Sequence, residues 1–418
     1  MKHAQEFPLQ LADRCVMCGL CIPHCPTYCL NATESESPRG RISLMMGLAR
    51  GQLSPQTQLL VHLDHCLECR ACEAVCPSAV PYGRLMDAMR GRLMDQGKRR
   101  LPWTTRTMLG LLAASPARLR GMGRWLYYYQ RSGLQRLMTA LGFLGSAGLK
   151  RLHRLLPPVA KPGSQISLYA ADVHVPPRGR VSLFTGCAAR LFDRQTQDAA
   201  IFLLNRLGHA VDIPPRQVCC GALHQHEGDH ERAGSLARQN QTAFGPKGQT
   251  PILVTASGCS SHLREYSAVL GEEIGAGFSD RVEDITTFLA RAQWPERYRF
   301  EALDLKVAVH EACLQRNVLK QSSSSYQLLG LIPGLEVVSL GGNEACCGAA
   351  GSHMLGQPQQ ADALLVPKLD SAQELQADIL VTTNIGCALH IQAGLRQQGQ
   401  RIEVLHPLTL LARQLRTA

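Results

Sequence analysis

Two cysteine runs decide the fold of the N-terminal region: CVMCGLCIPHCP at residues 15–26 and CLECRACEAVCP at residues 66–77. Both runs have the spacing Cys-x2-Cys-x2-Cys-x3-Cys-Pro, and each cysteine of the second run lies 51 residues after its counterpart in the first. A repeated run of this kind is typical of polypeptides that bind two [4Fe–4S] clusters, in which the fourth cysteine of each run ligates the other cluster.

The crossed pattern predicts two sites, each with four thiolate ligands. The first site is predicted from Cys15, Cys18, Cys21 and Cys76, and the second from Cys66, Cys69, Cys72 and Cys25. Zinc is the alternative metal, but zinc sites are usually built from pairs of ligands and often include histidine. The remaining cysteine of this region, Cys29, has no counterpart in the second run, and we expect it to be a small buried residue.

A second repeat occupies the C-terminal half. The strings VSLFTGC (181–187), CCG (219–221) and ILVTASGC (252–259) recur as VAVHEAC (307–313), CCG (346–348) and ILVTTNIGC (379–387). The offset drifts only from 126 to 128 residues, which indicates a duplication. Short apolar strands that alternate with helical patterns predict α/β domains with mainly parallel sheets.

Each copy of this repeat carries four cysteines, which we expect at the carboxyl edge of its sheet. They are Cys187, Cys219, Cys220 and Cys259 in the first copy, and Cys313, Cys346, Cys347 and Cys387 in the second. One interpretation is a further iron–sulfur cluster in one or both copies. The other is a site without metal, in which the cysteines are small buried residues. His224, His226 and His230 follow the first Cys-Cys-Gly and are candidates for metal binding, proton transfer or a purely structural role.

The positive charge is concentrated in one connecting segment. The 418-residue chain has a net charge of +11, yet residues 96–171 contain 13 Lys and Arg and no Asp or Glu. The same segment carries Trp103, Trp125 and three consecutive tyrosines, 127–129. Basic residues mixed with aromatic ones favour helices that lie on an anionic membrane surface. An acidic partner subunit and a solvated helical pair remain alternatives, and no nucleic-acid-binding motif accompanies the charge.

These patterns predict an α+β multidomain protein in four parts. They are a helical two-cluster ferredoxin domain (1–95), a basic helical linker (96–178), and two Cys-Cys-Gly domains (179–300 and 301–418). Residues 1–14 contain no apolar signal-peptide core, and no apolar stretch reaches the roughly 20 residues that span a bilayer. Cysteine runs of this kind suit a reducing compartment. We therefore expect a cytoplasmic location, peripheral on the inner membrane.

Several longer strings resemble a known family. They are CPTY (25–28), SPRGRI (37–42), HLDHCLEC (62–69), CPSAVPYG (76–83), TASGC (255–259) and NIGC (384–387). Together with both repeats, they make nearly the whole chain similar to the iron–sulfur subunit of bacterial glycolate oxidase, also called glycolate dehydrogenase. More distant similarity extends to heterodisulfide reductase and to the iron–sulfur subunit of anaerobic glycerol-3-phosphate dehydrogenase.

The resemblance implies a division of labour between subunits. FAD-binding partner subunits would oxidise glycolate to glyoxylate, with D-lactate as a further candidate substrate. This chain would pass the electrons toward a quinone or another membrane acceptor. It would hold no FAD and no catalytic residue, and it would not oxidise substrate alone. The alternatives are the equivalent subunit of a lactate or glycerol-3-phosphate dehydrogenase, and a thiol–disulfide enzyme like heterodisulfide reductase.

One departure argues against thiol–disulfide catalysis. In heterodisulfide reductase the Cys-Cys-Gly motif closes with Cys-x-x-Cys, which supplies a fifth sulfur. Here the corresponding strings are GCSSH (258–262) and GCALH (386–390), so a histidine stands at the second cysteine position. Each copy therefore offers four sulfurs, which suits ordinary four-thiolate ligation.

Overall fold

The computed structural model describes residues 7–113, 115–140, 147–161, 163, 166–245 and 248–417. The N-terminal module is entirely helical in these residues. Its α-helices are α1 (Leu9–Ala12), α2 (Pro26–Asn31), α3 (Pro38–Ala49), α4 (Thr57–Asp64), α5 (Ala71–Ala74) and α6 (Tyr82–Asp95), with a 3-10 turn at Glu34–Glu36. The start of α3 follows from its sequence, because Ser37 caps the helix by accepting a hydrogen bond from the Gly40 N–H at 3.0 Å and Pro38 occupies the first turn.

The basic segment forms further helices. They are α7 (Trp103–Leu112), α8 (Pro116–Arg131), α9 (Leu134–Ala140) and α10 (Ala147–Leu155). Helices α7, α8 and α10 each turn at least one leucine toward the interior. Two basic residues of the segment are buried in ion pairs, Arg99 with Asp64 and Glu227, and Arg151 with Asp362. None of the described helices is long and apolar enough to cross a membrane.

The first Cys-Cys-Gly half is a five-stranded sheet with helices. Its strands are β1 (Leu168–Tyr169), β2 (Gly179–Phe184), β3 (His209–Asp212), β4 (Ile252–Val254) and β5 (Val282–Asp284), in the order β1-β3-β2-β4-β5. All pairings are parallel except that of β1. Its helices are α11 (Ala188–Phe192), α12 (Arg194–Arg206), α13 (Ala222–His226), α14 (His230–Phe244), α15 (Ser257–Arg264), α16 (Tyr266–Leu270), α17 (Glu272–Ser279) and α18 (Ile285–Ala290).

The second half repeats this plan. Its parallel sheet contains β7 (Lys306–His310), β8 (Glu336–Ser339), β9 (Ile379–Thr382) and β10 (Glu403–Leu405), in the order β8-β7-β9-β10. Its helices are α19 (Ser323–Leu329), α20 (His353–Gly356), α21 (Pro358–Glu374), α22 (Ile385–Gln397) and α23 (Pro407–Gln414), with one π-helical turn at Gln315–Leu319. A two-stranded ribbon joins β6 (Tyr298–Phe300) to β11 (Leu415–Thr417).

The two halves pack on each other with approximate two-fold symmetry. Helix α12, which follows the first long strand of one half, contacts α23, the last helix of the other half, and α19 contacts α18 in the same way. One apolar core runs through both sheets and includes Leu183, Leu204, Val307 and Leu411. The α+β class and the mainly parallel sheets are confirmed. The four domain ranges stay a prediction. Strand β1 lies in the range that we predict as linker, and β6, at the end of the first Cys-Cys-Gly range, pairs with β11 of the second.

Candidate metal centres

The four cysteines predicted for the second site lie together. Cys25, from the first run, and Cys66, Cys69 and Cys72, from the second, line one small pocket. Cys25 precedes α2, Cys66 and Cys69 lie between α4 and α5, and Cys72 lies in α5. The fold therefore brings a cysteine of one run to three cysteines of the other, as the crossed pattern requires.

A buried arginine accompanies this set. The Arg41 guanidinium is 1% exposed, and its Nη1 lies 3.8 Å from the Cys25 Sγ. It also pairs with Glu36 at 2.6 Å. Tyr82 donates a hydrogen bond from its hydroxyl to the Cys66 Sγ at 3.6 Å. Burial raises the pKa of the Cys66 thiol, while Arg41 opposes that shift because a cation stabilises a thiolate. The site thus supplies a positive charge and a hydrogen bond to its sulfurs.

The first predicted set lies closer to the surface. Cys15, Cys18 and Cys21 occupy the loop before α2, and Cys18 is exposed. Cys15, from the first run, and Cys76, from the second, pack against the same apolar core of the N-terminal module. The loop makes its turn with left-handed backbone at Gly19, where φ is 86°.

The first Cys-Cys-Gly half gathers its four cysteines at the carboxyl edge of its sheet. The Sγ atoms of Cys187 and Cys219 are 3.4 Å apart, as are those of Cys220 and Cys259. Hydrogen bonds from Cys187 and Cys220 hold the pKa of the Cys219 thiol well below its usual value. Gly221 has a φ of 94°, which lets the loop pass close to α14 without a Cβ atom.

The second half gathers its four cysteines in the same way. The Sγ atoms are 4.0 Å apart for Cys313 and Cys346, and 3.1 Å apart for Cys347 and Cys387. Gly348, with a φ of 83°, repeats the role of its counterpart, since a Cβ there would lie 2.4 Å from the Ala361 carbonyl oxygen.

Two buried side chains distinguish the second half. A nitrogen of His310 and the sulfurs of Cys347 and Cys387 lie within 4.8 Å of one another. Burial, together with the nearby cations Lys368 and Arg316, lowers the pKa of His310 to about 3. The ammonium of Lys368 donates a hydrogen bond to the Gly342 carbonyl oxygen. It is also close enough to Cys346 and Cys347 to interact with them electrostatically. A neutral histidine and a cation therefore border this set.

The N-terminal module and the second half share a contact at their cysteines. Asn317 donates a hydrogen bond from Nδ2 to the Cys69 carbonyl oxygen at 2.8 Å. Cys69 and Cys313 also pack in one small apolar cluster around Leu67 and Cys346. Burial raises the pKa of Cys69 well above its usual value, and the neighbouring Cys313 adds to that shift. Two of the four cysteine sets are thus adjacent.

The predicted histidines behave differently from one another. His226 lies in an ion-paired cluster, where its Nδ1 faces both Glu68 and Asp87. Burial disfavours its charge, but the two carboxylates outweigh burial and raise the pKa of His226 well above its usual value. His224 pairs with Asp229 at 2.9 Å. The His226 contacts join the N-terminal module to the first half, whereas the His224 pair lies within the first half.

The prediction for Cys29 is wrong. Its side chain is exposed, and its thiol lies 3.4 Å from the Pro23 carbonyl oxygen. The residue lies within α2, and residues 29–31 of this helix are exposed. Sequence inspection missed Lys368 as a neighbour of cysteines. Arg41 belongs to the SPRGRI string at residues 37–42, whose arginines are candidates either to tune a cluster or to fix the turn or an interface.

The donor sets fit iron–sulfur clusters. Each set consists of thiols alone, and the buried thiols of the Cys-Cys-Gly halves are 3.1–4.0 Å from one another, too far apart for a disulfide bond of about 2.05 Å. Cationic or hydrogen-bond-donating groups stand beside the sets in the N-terminal module and the second half. Four thiolates are the usual ligands of a [4Fe–4S] cluster, and such groups tune its potential.

Family comparisons agree with this chemistry. A 4Fe-4S dicluster domain matches residues 11–80, and a cysteine-rich domain matches residues 181–264 and 307–392. The probable glycolate oxidase iron–sulfur subunit of Bacillus subtilis is 32% identical over 98% of this chain and 97% of its own length. The chain belongs to the glycolate oxidase iron–sulfur subunit family. The Escherichia coli glycolate oxidase iron–sulfur subunit is 31% identical over 90% of this chain and 89% of its own length.

A shorter group of relatives matches part of the chain. Lactate utilization protein A of Macrococcus caseolyticus is 27% identical over 56% of this chain and 97% of its own length. In this chain the dicluster region and both cysteine-rich regions lie in one polypeptide. The prediction of an iron–sulfur protein with Cys-Cys-Gly domains is confirmed.

Proposed function

We propose that this chain is the electron-transfer subunit of a glycolate oxidase complex that oxidises glycolate to glyoxylate. The observation that carries the proposal is the arrangement of cysteine sets within one chain of this family. One set is at the surface, one is buried, and the buried set touches a set of the second Cys-Cys-Gly half through Cys69 and Cys313. When bound, [4Fe–4S] clusters carry single electrons.

All sixteen predicted cysteines serve as ligands in this proposal. The two crossed sets of the N-terminal module hold one cluster each, and each Cys-Cys-Gly half holds another through its four gathered sulfurs. Buried cations compensate part of the negative charge that four thiolates bring, as Arg41 does beside Cys25 and Lys368 does in the second half.

The partners in the proposal are FAD-binding subunits, which oxidise the 2-hydroxy acid. Their docking face on this chain is the loop around Cys18, where Val16 is 69% exposed and Leu20 is 57% exposed. An exposed apolar loop around a surface set of cysteines suits transient or permanent contact with another subunit. The chain passes the electrons that it receives from these subunits to a membrane quinone.

The test is reconstitution of glycolate oxidation from separate subunits. We expect the purified chain alone to leave glycolate unoxidised with a dye acceptor. We expect the chain to couple glycolate oxidation to quinone reduction when the flavoprotein subunits are added. Oxidation of glycolate by the isolated chain would contradict the proposal, and so would flavoprotein subunits that reduce quinone equally well without it.

In this proposal the chain binds the membrane surface, and helices α7–α10 make the contact. These helices expose seven large apolar side chains: Trp103, Leu111, Trp125, Tyr128, Leu134, Leu137 and Leu149. Arginines 106, 118, 120, 124 and 131 are exposed on the same helices. Aromatic and apolar groups that stand among basic residues are the combination that an interfacial helix presents to an anionic leaflet.

Charge reversal on α8 tests this face. We expect R118E/R120E/R124E to weaken binding to anionic vesicles more than about 100-fold, because each basic residue near such a surface contributes about 1 kcal/mol. Co-sedimentation with phosphatidylserine-containing vesicles measures the change. The matched control reverses three exposed arginines elsewhere, R178E/R180E/R401E, and should bind normally. Equal binding of the wild-type chain to neutral and anionic vesicles would contradict the electrostatic model.

A further inference from the structure

A large cavity lies where all parts of the chain meet. Its volume is about 480 Å³, and helices α7, α8 and α10 form one wall. The opposite wall belongs to both Cys-Cys-Gly halves and includes seven of their eight cysteines, all except Cys347. The clusters proposed for those cysteines would occupy the cysteine-lined side of the cavity. The space open to a further small molecule is therefore the side formed by α7, α8, α10 and α20.

The walls are mostly apolar, and two of the polar side chains among them point to a ligand. Thr105, on α7, and His353, on α20, both line the cavity and are 2% and 7% exposed. The Thr105 Oγ1 has no hydrogen-bond partner among the described residues, and the His353 Nε2 makes no well-formed hydrogen bond there, although the Gln360 side chain lies nearby. Helices α7 and α20 contact each other, so both unpartnered groups belong to the same part of the cavity. Leaving two buried polar atoms unpaired is costly, and a bound molecule with oxygen acceptors would satisfy them.

The mouth of the cavity is on the membrane-facing helices. Leu111, on α7, and Trp125, on α8, line the cavity and are also 48% and 63% exposed. They belong to the apolar and basic surface that we place against the membrane. A molecule dissolved in the bilayer would therefore meet the mouth without crossing water.

We propose that this cavity binds the ring of a quinone, with Thr105 and His353 hydrogen-bonded to its carbonyl oxygens. A quinone has an apolar ring, two carbonyl acceptors and a lipid-soluble tail, which match the walls, the two unpartnered groups and the position of the mouth. Its reduction to quinol takes two electrons, which are those removed from glycolate, and two protons from solvent. The inference rests on the proposed function and gives its acceptor a site on this chain.

Photoaffinity labelling tests the site independently of turnover. The probe is an azido-substituted benzoquinone with a short alkyl tail, with the corresponding naphthoquinone as a second probe, on anaerobically purified whole chain. We expect label on peptides of α7, α8 or α20, and competition by the unsubstituted quinone. We expect T105V and H353F each to weaken labelling about 5–10-fold, because each removes one hydrogen bond to the ligand.

The controls remove the same chemical groups outside the cavity. Thr242→Val and His153→Phe change residues that do not line it, and they should label as the wild type does. The filling variant M108W should block labelling while the chain keeps its circular dichroism spectrum. Labelling that is absent with both probes, or that T105V, H353F and M108W all leave unchanged, would overturn the site.

Turnover separates this proposal from the function it rests on. In the assembled complex, T105V and H353F should lower quinone reduction and leave glycolate-dependent reduction of a water-soluble dye unchanged. A complex that fails with both acceptors would contradict the proposed function. A complex that reduces the dye and reduces quinone normally in both variants would contradict the site alone.

Discussion

Replacing Cys76 with alanine should empty the surface site of the N-terminal module and leave the buried site filled. In the crossed pattern, Cys76 completes the set of Cys15, Cys18 and Cys21, although it lies in the other run. We expect the iron content to fall by about four atoms per chain. We also expect electron transfer from glycolate to quinone to fall to background, because the surface set is where the flavoprotein subunits dock in our proposal.

Cysteine alkylation under native, anaerobic conditions identifies which site is lost. In Cys76→Ala, iodoacetamide should modify Cys15, Cys18 and Cys21, while Cys25, Cys66, Cys69 and Cys72 stay protected. The reciprocal variant Cys25→Ala should lose the same amount of iron from the buried site and leave the first run protected. The opposite pattern, with the second run exposed in Cys76→Ala, would show that each run fills its own site.

Cys29→Ala is the matched control. Cys29 lies four residues after Cys25, is exposed, and belongs to neither predicted set. Its replacement should change neither the iron content nor electron transfer. Iron loss in this variant comparable to that in Cys25→Ala would make Cys29 a ligand and would contradict the assignment of the second set.

Local spacing carried most of what could be predicted about the sites. The crossed set of Cys25 with Cys66, Cys69 and Cys72 follows from the repeat alone, because three cysteines at intervals of three residues and a fourth before a proline leave few ways to surround a cluster. The duplicated halves follow from their offsets, since strands of parallel sheets end at one edge and bring their next residues together there. Both sets of four sulfurs lie at that edge.

Contacts between distant segments could not be predicted in the same way. Lys368, in the middle of α21, lies beside the cysteines of the second Cys-Cys-Gly half. A single buried lysine within a helix gives no signal in the sequence. The adjacency of Cys69 and Cys313 depends on how the N-terminal module docks, and Asn317 fixes it from a π-helical turn. The cavity likewise arises from three segments that pack together, and its unpartnered Thr105 reads as an ordinary helical residue in the sequence.

The Cys-Cys-Gly halves should account for half of the iron in the intact chain. Anaerobically purified protein should contain about 16 iron atoms, because four sets of four thiolates each match one [4Fe–4S] cluster. Cys220→Ala and Cys347→Ala each remove one sulfur from a different half, and each should lower the content to about 12. The double variant should retain about 8, which are those of the N-terminal module.

The two halves should also differ in what their loss does to electron transfer. The second half touches the N-terminal module through Cys69 and Cys313, so Cys347→Ala should abolish quinone reduction. Dye reduction through the N-terminal module should survive in the same variant, provided that the circular dichroism spectrum shows an intact fold. A content of about 8 iron atoms in the wild-type chain and in both variants would mean that the gathered sulfurs of the two halves hold no cluster. A quinone in the proposed cavity would then receive electrons directly from the cluster of Cys25, Cys66, Cys69 and Cys72, because the Cys66 side chain also lines that cavity.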